Sequence, residues 1–163
     1  MTNLLLVVLL ATAPVDHAAT VHDQIAVKLT PTAKQKLVSI AASLPATSGA
    51  TDGTSRSIRT AFPGVNFSQL DLDSLCAFVL QEAATQTEQD MKTTADQMKV
   101  INQQKGGLRA DDKKRLETLN HMSSMMQTKM QMLMERKSKF ANILSALLKK
   151  MSDTQSAIIS SLK

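Results

Sequence analysis

The C-terminal half of the chain places apolar residues at the alternating three- and four-residue spacing of a helix seam. Between residues 116 and 161 fourteen positions follow this spacing, ten of them are apolar, and neither Pro nor Gly interrupts the run. The positions are Leu116, Leu119, Ser123, Met126, Met130, Leu133, Lys137, Phe140, Leu144, Leu147, Met151, Thr154, Ile158 and Ser161. A heptad register of this length predicts one long helix over about residues 111–161.

A weaker seam precedes this helix. Its eight positions are Ala77, Leu80, Ala84, Thr87, Met91, Thr94, Met98 and Ile101, and Cys76, Ala83 and Ala95 widen the stripe. Ser68 followed by Asp71 has the form of a capping box, which predicts a helix over about residues 70–105. Because small side chains bury little area each, this helix needs a neighbour to be stable.

Gly106 and Gly107 separate the two predicted helices and can end the first one. A short break between long helices predicts an antiparallel hairpin, so the expected fold class is all-α, coiled-coil-like, with a less regular N-terminal region. A turn at residues 106–107 would set residue 70 opposite roughly residue 143. The last turns of the second helix would then overhang the first helix and need a cover.

The sequence divides into residues 1–45, a linker or long loop over 46–67, and the hairpin over 68–163. In the first part, Thr30 and Pro31 begin a short amphipathic helix, whereas residues 46–61 are small and polar and show no periodicity. The apolar run Leu4–Leu10 has two interpretations. In the first, residues 1–13 act as a signal peptide and the protein is secreted or at the cell surface. In the second, the run is a folded strand that pairs with residues 24–29, and the protein is cytoplasmic.

Composition favours helices over sheets, because 43% of the residues are hydrophobic while aromatics make up 2%, with no Trp or Tyr. The net charge of +5 hides a division along the chain: residues 71–104 carry −4 and residues 105–163 carry +7. These charges complement each other across the predicted hairpin. Together with the absence of stacking Trp and Tyr, this argues against a nucleic-acid partner.

Candidate chemistry is sparse. Cys76 is the single cysteine and falls on an apolar helix stripe, which predicts a buried thiol. His17 and His22 lie beside Asp16 and Asp23, but two histidines without a third spaced ligand do not define a metal site and are expected to be solvated. His121 is expected at the surface. No motif for a catalytic, cofactor or metal site is present, so the sequence predicts a protein that is not an enzyme.

The predicted function is therefore structural: a hairpin subunit that self-assembles or docks to a helical partner. The expected interface residues are Met126, Met130, Leu133, Phe140, Leu144, Leu147, Met151, Ile158 and Leu162, and the methionine cluster at 122–134 suits a surface that can repack. The layout is similar in a general way to helical-hairpin subunits of secretion needles and filaments, which implies assembly. The alternative is a membrane-associated protein that uses the N-terminal apolar run and the basic amphipathic segment 134–151 on an anionic membrane surface.

Overall fold

A computed structural model describes residues 17–47, 49–109 and 112–161 of the chain. Over these residues the protein is all-α and contains five helices. They are α1 (His17–Lys28), α2 (Pro31–Ser43), α3 (Ala50–Ala61), α4 (Gln69–Gly106) and α5 (Lys113–Ser161). Helices α4 and α5, of 38 and 49 residues, pack along each other as a hairpin, so the predicted fold class is confirmed.

The start of α4 follows the predicted capping box. The Ser68 hydroxyl accepts a hydrogen bond from the Asp71 amide at 3.1 Å, and the Asp71 carboxylate accepts one from the Ser68 amide at 3.1 Å. These two bonds satisfy amides that the first turn leaves without a helical partner. At the other end, Gly107 is the C-cap.

The predicted seams are the contact faces of the hairpin. Every seam position from Ala77 to Ile101 on α4, and from Leu119 to Thr154 on α5, is buried or half-buried. Leu116 and Ile158, at the two ends of the α5 register, are exposed. The 3.6-residue period therefore predicts which face of each helix is buried. It does not predict how far the buried face extends, because this depends on the elements that pack at the two ends of the hairpin.

Helices α1, α2 and α3 form an N-terminal layer that covers one end of the hairpin, here called the base. The base core joins Ile25, Leu37 and Ile58 of the layer to Phe78 on α4 and Phe140 on α5. From residue 72 to residue 80 every position of α4 is buried, since the layer and α5 enclose it. Beyond Ala83, the buried residues of α4 are Thr87, Thr94 and Ile101.

The N-terminal third differs from two predictions. Residues 24–28 belong to α1 and not to a strand, because Ile25 is buried whereas Val27 is 86% exposed, which an alternating strand would not produce. The predicted linker contains α3, whose Ala50, Thr54 and Ile58 recur every four residues on one buried face. Helix α2 is confirmed, and the Thr30 hydroxyl accepts from the Ala33 amide at 3.3 Å. The run Leu4–Leu10 lies outside the described residues.

Two ion pairs between α4 and α5 show the register of the hairpin. Lys137 Nζ lies 3.3 Å from Glu88 Oε2, and Lys150 Nζ lies 3.2 Å from Asp73 Oδ2. This register sets residue 70 opposite about residue 153, some ten residues farther along than a turn at 106–107 requires. The predicted overhang was therefore too long: the connection extends to residue 112, and the layer and α4 cover Leu147 and Met151.

Candidate interaction surface

Most of the predicted interface residues already pack inside the chain. Leu133, Phe140, Leu144, Leu147 and Met151 are buried, and the last four belong to the base core. Met126 and Met130 are half-buried on the seam, Ile158 is 48% exposed, and Leu162 lies outside the described residues. Within this set, Ile158 is the residue that the described structure leaves largely open to solvent.

His22 is not the solvated side chain that the sequence predicts. Its ring stacks on Phe78 with centroids 4.6 Å apart and planes 2° from parallel, and its Nε2 lies 2.7 Å from Glu82 Oε1. The imidazole therefore attaches α1 to α4 by a stack and a hydrogen bond. His121 is exposed, as predicted. His17 is the first residue of α1, and the structure does not describe its side chain.

Cys76 is buried, as predicted, between α4 and α3. Its Sγ lies 3.2 Å from Ser55 Oγ and 3.8 Å from the Thr51 carbonyl oxygen. Burial raises the pKa of the Cys76 thiol to about 11, and this outweighs the opposing effect of the Ser55 hydrogen bond. The group is therefore a neutral thiol at physiological pH, with the properties of a small core residue and not of a nucleophile.

Two further polar groups join elements at the base. Asp73 is buried, accepts a hydrogen bond from Gln69 Nε2 at 2.8 Å and pairs with Lys150. Arg136 donates from Nη2 to the Leu44 carbonyl oxygen at 3.2 Å, and its guanidinium lies 5.4 Å from the centre of the Phe140 ring. Because this carbonyl lies at the C-terminus of α2, the guanidinium also stabilises the partial negative charge of that helix end. Asp73 therefore connects α4 to α5, and Arg136 connects α5 to the end of α2.

The described residues hold no cluster of three or more His, Cys, Asp or Glu side chains that could bind a metal ion. Within the same ranges, no helix is both long enough and apolar enough to cross a membrane.

The hairpin beyond the N-terminal layer is here called the distal arm and comprises residues 89–106 of α4 and 113–135 of α5. Of the ten large hydrophobic side chains that are exposed among the described residues, six lie on this arm. They are Val100, Leu116, Met122, Met125, Met132 and Met134. Helix α2 ends at Ser43, beside Arg136, and the core cluster that contains the layer includes no residue of the arm.

An open groove, here called the arm groove, runs between α4 and α5 on the distal arm. Its floor is formed by Val100 and Ile101 from α4 and by Met122 and Met126 from α5. Thr93, Gln97 and Gln104 line its edge, and Asp96 is its single charged lining residue. Val100 is 50% exposed and Met122 is 40% exposed, so the floor presents apolar surface to solvent.

The charges of the distal arm divide along its length. The tip, residues 105–117, has a net charge of +2, because Lys105, Arg109, Lys113, Lys114 and Arg115 stand against Asp111, Asp112 and Glu117. On the α4 part of the arm, Asp90 lies at the end nearest the base and Lys105 at the tip. Asp90 is exposed. The α4 side of the arm groove therefore lies between an acidic residue and a basic residue.

Sequence reasoning identified the methionine cluster but not the groove. The heptad pattern shows which residues face the partner helix, and the cluster at 122–134 contains more Met than one seam can hold. The pattern does not show where the N-terminal layer ends, which decides whether the remaining Met side chains are covered. The architecture is thus an all-α helical hairpin with a three-helix layer at its base. No known protein family, curated protein or solved structure matches the chain.

Proposed function

We propose that the protein is a structural or interaction protein, a helical-hairpin subunit that binds a helical partner through the arm groove. The observation that carries this proposal is the exposed apolar floor formed by Val100, Met122 and the half-buried Met126. The proposed interface is therefore the distal arm and not the C-terminal turns of α5. Membership of a secretion or filament assembly is a narrower form of the same proposal.

The arm has less core than the base. Its buried positions are Thr94 and Ile101 on α4 and Leu119 and Leu133 on α5. The Thr94 hydroxyl donates to the Asp90 carbonyl oxygen at 2.7 Å, so this position fills space without adding much apolar area. A third or fourth helix along the groove would bury the remaining apolar surface, as in a helix bundle. Methionine suits such a contact because its unbranched side chain adapts to different neighbours.

The membrane-associated alternative receives less support. The apolar side of the basic segment 134–151 is formed by Phe140, Leu144, Leu147 and Met151, which are all buried within the chain. A helix that binds a membrane surface needs that side free. The other feature behind the alternative, the run Leu4–Leu10, lies outside the described residues.

Site-specific photo-crosslinking in the native host tests the proposal. A benzophenone amino acid at position 100 lies in the groove, whereas the same group at position 99 replaces a lysine that is 77% exposed and does not line the groove. We expect position 100 to form crosslinks to another protein chain and position 99 to form few or none. Equal crosslinking from both positions, or none from position 100, would contradict the proposal.

A further inference from the structure

We propose that the occupant of the arm groove is the distal arm of a second copy of this chain, in antiparallel orientation. This inference rests on the proposed function, and it names the partner and the orientation. The position of the groove and the arrangement of charge along α4 of the arm both favour this occupant.

The charges select the orientation. Asp90 and Lys105 are separated by fifteen residues of α4, or about 23 Å at a rise of about 1.5 Å per residue. Their midpoint falls between Gln97 and Met98, which is also close to the middle of the α4 residues that line the groove, Thr93 to Gln104. A two-fold axis at this point therefore places Asp90 of each copy level with Lys105 of the other.

A parallel pair of arms does not share this property. It would set Lys105 of one copy level with Lys105 of the other, and Asp90 level with Asp90. Like charges in contact repel, and complementary patches favour both encounter and a fixed register. The antiparallel pair instead brings Lys105 of each copy level with Asp90 of the other, which is exposed.

The size of the arm predicts a weak dimer. The α4 part of the arm is about 27 Å long, and two adjacent helices are about 20 Å wide, so one face offers about 500 Å². Two such faces bury about 1,000 Å² in total, which is the lower end of the range for specific protein interfaces. We therefore expect a dissociation constant for the dimer in the micromolar range. The affinity should fall as added salt screens the charges of Asp90 and Lys105.

Sedimentation equilibrium of the full-length chain with a charge swap tests this inference. Asp90→Lys should weaken the dimer by about tenfold, because each interface contains the contact twice and attraction becomes repulsion. Adding Lys105→Asp to Asp90→Lys should restore most of the affinity. Asp153→Lys, an equal change of charge at an exposed position near the base, is the matched control and should leave the affinity unchanged. Circular dichroism checks that each variant keeps its helices.

Four results would overturn the inference: a chain that stays monomeric at millimolar concentration, a dimer that is indifferent to Asp90→Lys, a swap variant that does not recover, or a control that weakens association equally. A purified monomer whose position 100 crosslinks to a different protein in the host would exclude a second copy and leave the proposed function intact. Crosslinks from position 100 to residues 4–10 of the same chain would exclude both, because the groove would then be covered from within.

Discussion

Cys76 shows how one residue type takes its role from its surroundings. A thiol on a solvent-exposed helix face would be open to alkylation and oxidation, but this one is fully buried beside Ser55 and Thr51. Burial disfavours the thiolate, and the pKa rises from its ordinary value of 9.0 to about 11. The consequence is a coupling between pH and folding stability.

That coupling gives a prediction with a definite sign. The folded state holds the Cys76 proton more tightly than the unfolded state, so the stabilisation is complete below pH 9 and is lost as the pH rises toward 11. Two pKa units correspond to about 3 kcal/mol. Denaturant unfolding of the wild type and of Cys76→Ala should show the wild type losing about that much relative to the variant between pH 8 and pH 11. Parallel pH profiles would show that the thiol does not titrate in this way.

Single residues also mark where sequence reasoning stops. The burial of Cys76 could be predicted, because it lies beside an apolar stripe on the same helix. The role of His22 could not, since its partners Phe78 and Glu82 lie more than fifty residues away and nothing in the local sequence indicates them. A histidine that stacks on one side chain and donates a hydrogen bond to another can be recognised only from the tertiary fold.

The long helices are the elements that the sequence predicts best. Helix α4 runs from Gln69 to Gly106 and α5 from Lys113 to Ser161, close to the predicted 70–105 and 111–161. A repeated seam, a capping box and a Gly pair are all local signals. Helix α3 lacked such a signal, because its buried face consists of Ala50, Thr54 and Ile58 among small polar residues. The register was also mispredicted, since a glycine pair shows where a helix ends but not how long the connection is.

The register itself gives a prediction about the pair of Asp73 and Lys150. Asp73 has 3% of its side chain exposed, whereas Lys150 has 56% exposed, so the two partners are not equivalent. Lys150→Met leaves a buried carboxylate with Gln69 as its remaining partner and should cost about 2 kcal/mol of unfolding free energy. Asp73→Asn leaves a solvated ammonium group and should cost about 1 kcal/mol or less.

A double-mutant cycle on Asp73 and Lys150 separates the interaction energy between the two side chains from the cost of each single substitution. Because the variants affect one interaction, the double variant should be more stable than the sum of the two single effects predicts, by about 1 kcal/mol. Chemical denaturation of the four proteins measures this difference. Additive effects, or a larger cost for Asp73→Asn than for Lys150→Met, would mean that the ion pair does not stabilise the packing of α4 on α5.

At the scale of the whole molecule, the hairpin has two parts with different surroundings. The base is enclosed by three helices and contains the main core, while the arm, over the described residues, consists of α4 and α5 and has an exposed apolar groove. The net charge of +5 is unevenly distributed, and the α4 part of the arm runs from acidic Asp90 to basic Lys105. Composition alone could not show this polarity, because it depends on which residues the fold leaves exposed.

The most direct test of the central claim is the self-association of the full-length chain with a charge placed in the arm groove. Val100→Glu changes a half-exposed groove residue, and Met134→Glu changes an exposed methionine that does not line the groove. Substitutions at such positions usually alter stability by less than about 0.5 kcal/mol, so both variants should unfold at nearly the wild-type temperature.

Analytical ultracentrifugation over a range of concentrations measures the outcome for the wild type and both variants. We predict that the wild type and Met134→Glu form a concentration-dependent dimer and that Val100→Glu remains monomeric with its helical content intact. A wild-type chain that is monomeric throughout, or a Val100→Glu chain that dimerises as well as the wild type, would contradict the assignment of the arm groove as the surface where two copies meet.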